Sequence, residues 1–139
     1  MGTSQEEGFE ITFDEKRSII RLRLWGFWSP EIGQAMVTEF KTHVQYASTR
    51  GMPWYALADL SQFPPQTKGI QQCLSEAMQF ARERGVRRTA RVVASTITSL
   101  QISRLAQAAK IPEHTFFHSE EAAIQWLLRD ESENARDSE

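Results

Sequence analysis

Near the start of the chain, polar and apolar residues alternate over two neighbouring stretches; apolar stripes at helical spacing follow. Phe9, Ile11 and Phe13 alternate with Glu10 and Thr12, and Ile20, Leu22 and Leu24 alternate with Arg21 and Arg23. A period of two puts one side chain in the core and the next in water. The pattern therefore predicts an antiparallel pair of strands, Phe9 to Phe13 and Ser18 to Leu24, with one wet face. Asp14, Glu15 and Lys16 make the turn between them, with no glycine to define its type.

Ser29-Pro30-Glu31 then opens a helix. The hydroxyl can accept a free N–H, proline has none to leave unpaired, and the carboxylate suits the positive end of the dipole. Ile32, Ala35, Met36, Phe40, Val44 and Ala47 recur at helical spacing, and Gly51 and Pro53 end the segment. The apolar run Trp54 to Ala58 reads as a buried strand that stops at Asp59; Leu60, Ser61 and a Pro64-Pro65 break come next. Gln66 or Thr67 caps a second helix with the stripe Ile70, Cys73, Leu74, Ala77, Met78 and Ala81, closed by Gly85. Arg91 to Ala94 is a short strand centred on Val92 and Val93. A third helix runs from Ser95 or Thr96 to Lys110, burying Ile102, Leu105, Ala106 and Ala109, with Pro112 just beyond it. His114 to Phe117 is the last strand, and Ser119-Glu120-Glu121 opens a helix over Ala122, Ala123, Trp126 and Leu127. The order predicts an α/β fold: a single mixed five-stranded sheet with an antiparallel N-terminal hairpin and four helices. One domain is expected over residues 9–129, with disorder in residues 1–8 and in the acidic tail 130–139.

Composition narrows the function classes. Of the 139 residues, 40% are hydrophobic and 24% charged, as in ordinary globular domains. A net charge of -2 gives no reason to expect nucleic acid. The single cysteine, Cys73, rules out an internal disulfide and a cysteine-rich zinc site. No apolar run reaches the ~20 residues of a membrane helix, and MGTSQEEGFE lacks a secretory pattern. The expectation is a cytoplasmic protein that binds no membrane.

Two groups of residues are candidates for binding. Asp59, Ser61, Thr67 and Lys68 surround a helix start, where free N–H groups and the dipole accept anions. A phosphate on Thr67 would be stabilised there, with Lys68 in reach. The alternative is a capped helix and an aspartate bonded to loop amides. Trp25, Phe27 and Trp28 flank Gly26 at the mouth of the first helix and offer either a partner, ligand or dimer surface or a cover for the end of the sheet. Trp54, Tyr55 and Phe63 could complete an apolar pocket beside them. Arg82, Arg84, Arg87, Arg88 and Arg91 form the basic cluster, which reads chiefly as a solvated helix end and loop. His43, His114 and His118 lack metal-site spacing, and no phosphate loop, nucleophile elbow, dinucleotide fingerprint or HExxH occurs. No catalytic residue, metal or cofactor is expected.

The Gly26 turn, the Asp59-Leu60-Ser61 strand end and the closing Phe117…Glu121-Ala122…Trp126-Leu127 pattern resemble the SpoIIAA-like branch of the STAS superfamily (sulfate transporter and anti-sigma factor antagonist), over roughly Phe9 to Leu128. The resemblance implies a small non-enzymatic bacterial regulatory domain, often dimeric, that binds a partner protein. A small apolar or anionic ligand is the alternative. In the anti-sigma antagonists an Asp-Ser pair at the helix start is phosphorylated to switch the partner. Here Gln66-Thr67-Lys68-Gly69 replaces it, leaving Thr67 as the hydroxyl for that role.

Overall fold

Nine elements alternate along residues 6–129, the part of the chain that the structure, a computed structural model, describes. They are β1 (Gly8–Asp14), β2 (Ile19–Trp25), α1 (Pro30–Ser48), β3 (Tyr55–Gln62), α2 (Lys68–Glu83), β4 (Arg88–Val93), α3 (Thr96–Ala108), β5 (Glu113–Phe117) and α4 (Glu120–Leu127). One five-stranded sheet holds the strands in the order β1-β2-β3-β4-β5. The hairpin β1–β2 is antiparallel and every later pairing is parallel, as the hydrophobic pattern predicts. The acidic tail, 130–139, and residues 1–5 lie outside the described residues.

Two strands are longer than their apolar runs. β3 continues through Asp59, Leu60 and Ser61 to Gln62, so the acid sits inside the strand rather than past its end. β4 begins at Arg88, three residues before the predicted start, and all of it is buried. The cause is the same in both. A strand's length is set by the neighbours that complete its ladder, and polar side chains within it are accommodated one by one.

The sheet is covered unequally. α1, α2 and α3 pack on one face, while the short α4 covers only β3, β4 and β5 on the other. Strand parity sends Leu22, Ala58, Arg91 and Phe116 to the three-helix face, and these residues lie side by side in one row across the sheet. Ile19, Leu57, Ala90 and Val92 face α4 and pack with Ala123 and Leu127. The outer face of β1 and β2 carries Glu10, Thr12, Arg21 and Arg23 and has no helix over it.

Local signals mark most helix ends. The side chains of Thr67, Ser95 and Ser119 accept from the N–H groups of Ile70, Thr98 and Ala122. Ser29 departs from expectation: it makes no side-chain cap bond, so Pro30 and Glu31 carry that helix start alone. α1 approaches α2 closely at Gly33, where an added Cβ would meet Ile70 Cδ1 at 2.9 Å and Cys73 Sγ at 3.0 Å.

Gly26 ends β2 with φ +80° and donates to the Gln62 carbonyl at 3.0 Å. A Cβ there would lie 2.1 Å from the Glu6 carbonyl oxygen and 2.6 Å from Glu7 Cα, both backbone atoms that cannot swing away. Gly26→Ala therefore combines a left-handed conformation with a backbone clash and is expected to destabilise the fold by ~2–4 kcal/mol. Equilibrium unfolding in urea measures this as a lower midpoint with an unchanged slope.

Candidate functional site

The two groups singled out in the sequence are dispersed by the fold. Trp28 is withdrawn into the core. Its indole Nε1 donates to the carbonyls of Gly8 (3.1 Å) and Trp25 (3.0 Å), and its ring meets Phe9 and Phe63 edge to face. Trp25 lies half-buried on the opposite face under the Arg23 guanidinium, 4.9 Å from the ring centre. Only Phe27 is well exposed, at 55%. Trp54 is buried with its Nε1 on the Arg84 carbonyl at 3.1 Å, and Tyr55 points to the α4 side. The three aromatics thus form no common surface, and no pocket gathers Trp25, Trp28 and Trp54 among the described residues.

Asp59 and Ser61 project from the outer face of β3. Asp59 Oδ1 accepts from Ser61 N at 3.0 Å and from Ser61 Oγ at 2.7 Å. Asp59 also lines a polar groove of about 240 Å³ with Glu10, Thr12, Arg21, Arg23 and Glu120, where Arg21 pairs with Glu120. Thr67 and Lys68 sit at the start of α2 on the other side of the sheet, Thr67 acting as N-cap through a 3.4 Å bond from Ile70 N. No hydrogen bond among the described residues joins the two pairs.

Between them stands a residue considered in the sequence only as a cap. The side chain of Gln66, 5% exposed, accepts from Trp28 N at 3.0 Å and donates to the carbonyls of Gly26 (3.0 Å) and Pro64 (2.8 Å). Its backbone N–H donates to Gln101 Oε1 at 2.9 Å, and its carbonyl accepts from Gln71 and Gln101. Thr98 adds a 2.8 Å bond to the Phe63 carbonyl. This network ties the loop after β2, the loop after β3 and the first half of α3 together at the C-terminal edge of the sheet.

The basic cluster also divides. Arg82, Arg84 and Arg87 are exposed, whereas Arg88 and Arg91 are buried on opposite faces of β4. Arg88 caps the end of α4, its Nη1 donating to the Leu127 carbonyl at 3.0 Å, and its Nε lies 3.4 Å from Glu113. Arg91 has no such partner. It is 4% exposed, no carboxylate pairs with it among the described residues, and its buried Nη1 makes no hydrogen bond. Beside it, between the sheet and the three helices, is a cavity of about 70 Å³. Leu22, Leu24, Ala56, Ala58 and Leu60 form its floor, Met36 and Phe40 of α1 and Leu74, Ala77, Met78 and Ala81 of α2 its walls, and Ile102 and Ile111 complete the lining of this partly open space; Thr89 and Arg91 supply its polar atoms.

An uncompensated guanidinium in this setting is expensive. Burial of an ion costs several kcal/mol even after relaxation. The Phe116 ring, 6.0 Å from Arg91 Cζ, returns about 2 kcal/mol at most. Desolvation pushes Arg91 down to about 10, which leaves it protonated at neutral pH. His114, in the next strand on the same face, has a buried Nδ1 without a partner, and desolvation followed by the Arg91 charge holds its pKa below the ordinary histidine value. His118 is exposed and lies beyond the end of β5. Burial and then Glu76 push the Cys73 thiol up, which keeps it protonated and unreactive. In the sequence Arg91 looked like one more surface arginine. The available signal was its place at the head of the apolar run Val92-Val93, which marks a charged residue inside a central strand.

These features belong to a SpoIIAA-like α/β domain. The chain aligns with the crystal structure of an uncharacterized protein of the DUF3478 family with a SpoIIAA-like fold, from Shewanella loihica PV-4. The TM-score is 0.64 at 15% identity, over 90% of this chain and 98% of that one. No family model and no curated protein matches the chain. Among the described residues no three metal-ligating side chains cluster, and no helix is long and apolar enough to cross a membrane.

Because the guanidinium is desolvated without a counter-charge, Arg91→Met is expected to stabilise the ligand-free protein by ~1–4 kcal/mol. Urea unfolding of both proteins in ligand-free buffer measures the difference.

Proposed function

We propose that this domain is a non-catalytic binding module whose ligand, a small and largely apolar molecule, occupies the cavity between the sheet and α1, α2 and α3. The observation that carries this reading is the cavity itself. It is lined by hydrocarbon from the sheet and all three helices, in an interior where packing normally leaves little space. Its lining has no nucleophile beside a base, which favours binding over chemistry. A molecule held there touches α1, α2, α3 and the sheet at once. Occupancy therefore stiffens the contact between the layers, a means by which a sensor domain reports its ligand.

The exposed aliphatics favour a second reading, that of a surface for a partner protein. Phe27 (55% exposed), Ile97 (66%) and Leu100 (60%) lie on the loop and helix that Gln66 ties together at one edge of the sheet. Association through this edge would be regulated by the same layer contacts, with Thr67 and Lys68 close in sequence to Gln66 and open to modification.

Thermal unfolding with a panel of three- to six-carbon alcohols, ketones and acids tests the first reading. A member present at a hundredfold excess over its dissociation constant is expected to raise Tm by ~5–10 °C. Ala58→Leu, which fills the cavity, is expected to remove the response while retaining the fold. No shift across the panel, or equal shifts in both proteins, would overturn it. For the second reading, sedimentation across a range of concentrations should show association in the wild type that Phe27→Ser with Ile97→Ser and Leu100→Ser removes; a wild-type monomer throughout, with no partner recovered on immobilised protein, counts against it.

A further inference from the structure

The cavity holds one charge, and that charge has no partner. We propose that Arg91 is the anion anchor of the cavity and that the ligand is a short-chain aliphatic monocarboxylate, its carboxylate on the guanidinium and its hydrocarbon against Leu22, Met36 and Leu74. The inference rests on the cavity reading above and adds the ligand's charge, headgroup and size.

Three observations converge on it. Arg91 lines the cavity and is 4% exposed, and its Nη1 has no hydrogen-bond acceptor, so a strong donor lies buried and unused on a residue of the cavity wall. Buried donors are nearly always satisfied, and a charged one left open signals an acceptor that arrives separately. The neighbours of Arg91 in its row across the sheet are Leu22, Ala58 and Phe116, none of which can accept a proton. Ala58, the small residue beside it, leaves the space that an anion would fill. The second open polar atom of this face, His114 Nδ1, lies in the adjoining strand, where the Arg91 charge reaches it.

The same observations set the chemical class. A planar guanidinium fork matches a planar carboxylate in two parallel bonds. A phosphate dianion would bring a second negative charge into hydrocarbon with no cation to meet it. Size follows from the volume. A dry protein cavity of about 150 Å³ accepts benzene, so about 70 Å³ accommodates roughly half that hydrocarbon. Met36 and Met78, flexible and unbranched, can yield further room. The whole ligand, carboxylate included, then has about four or five non-hydrogen atoms, the size of acetate or propanoate.

Titration of the full chain with propanoate and with propan-1-ol, its neutral counterpart, tests the proposal. The wild type is expected to bind propanoate about tenfold or more tighter than the alcohol, as a bond to a charged group implies. Arg91→Met should lose that advantage while its alcohol affinity stays within about twofold. Nuclear magnetic resonance of the His114 ring in the wild type supplies a readout that needs no variant. Burial and then the Arg91 charge depress His114, and an anion on Arg91 offsets the second of these, so propanoate should raise the ring's pKa and propan-1-ol should leave it in place. Equal affinity for acid and alcohol, with no movement of His114, overturns the anchor while leaving the cavity reading intact. Failure of the wild type to bind either molecule overturns both.

Discussion

The positive charge of Arg91, shut in the apolar layer between the sheet and three helices, is the constraint around which the centre of this domain is arranged. A guanidinium there needs a small neighbour for room and an aromatic face for partial compensation, and it bears the desolvation that the layer over it imposes. Ala58 provides the first and Phe116 the second, and α1, α2 and α3 form that layer. None of these supplies a counter-charge. The central strand is therefore held in place by apolar burial on both faces, against the cost of the ion it carries.

Arg88 shows how the same residue type is handled when its role is structural. Three residues earlier in β4 and on the other face, it reaches carbonyls at the end of α4 and the Glu113 carboxylate. It thereby satisfies the negative pole of that helix and locks β4 to β5 and α4. One strand thus carries a paired arginine outward and an unpaired one inward.

The C-terminal edge of the sheet is organised by the uncharged Gln66. Its side chain serves three backbone groups from loops that are far apart in sequence, and its own backbone is served by Gln71 and Gln101. Because every bond is made, the network rigidifies the edge instead of weakening the core. A proline pair and the buried glutamine occupy the approach to α2, and Thr67 serves the helix as an ordinary N-cap.

Spacing within single segments determined the antiparallel hairpin and the helix stripes, and the alternation of segments the parallel remainder; the place in the sheet of the short strand predicted from Arg91 to Ala94 came from the family resemblance. Thr67, Ser95 and Ser119 were legible as caps because a cap bonds within its own first turn. Left open was the exposure of Trp28, and misjudged were the ends of β3 and β4 and the nature of Arg91 and Gln66. Each depends on residues distant in the chain. Trp28 is buried by Phe9 and Phe63, Gln66 by Gly26 and Gln101, and Arg91 by Leu22, Ala58 and Phe116. A charged or polar side chain carries no periodic mark of burial, so its sequence reads as surface until the strands on either side are in register. Only the tertiary structure could turn an arginine of a basic cluster into an open donor at a cavity wall.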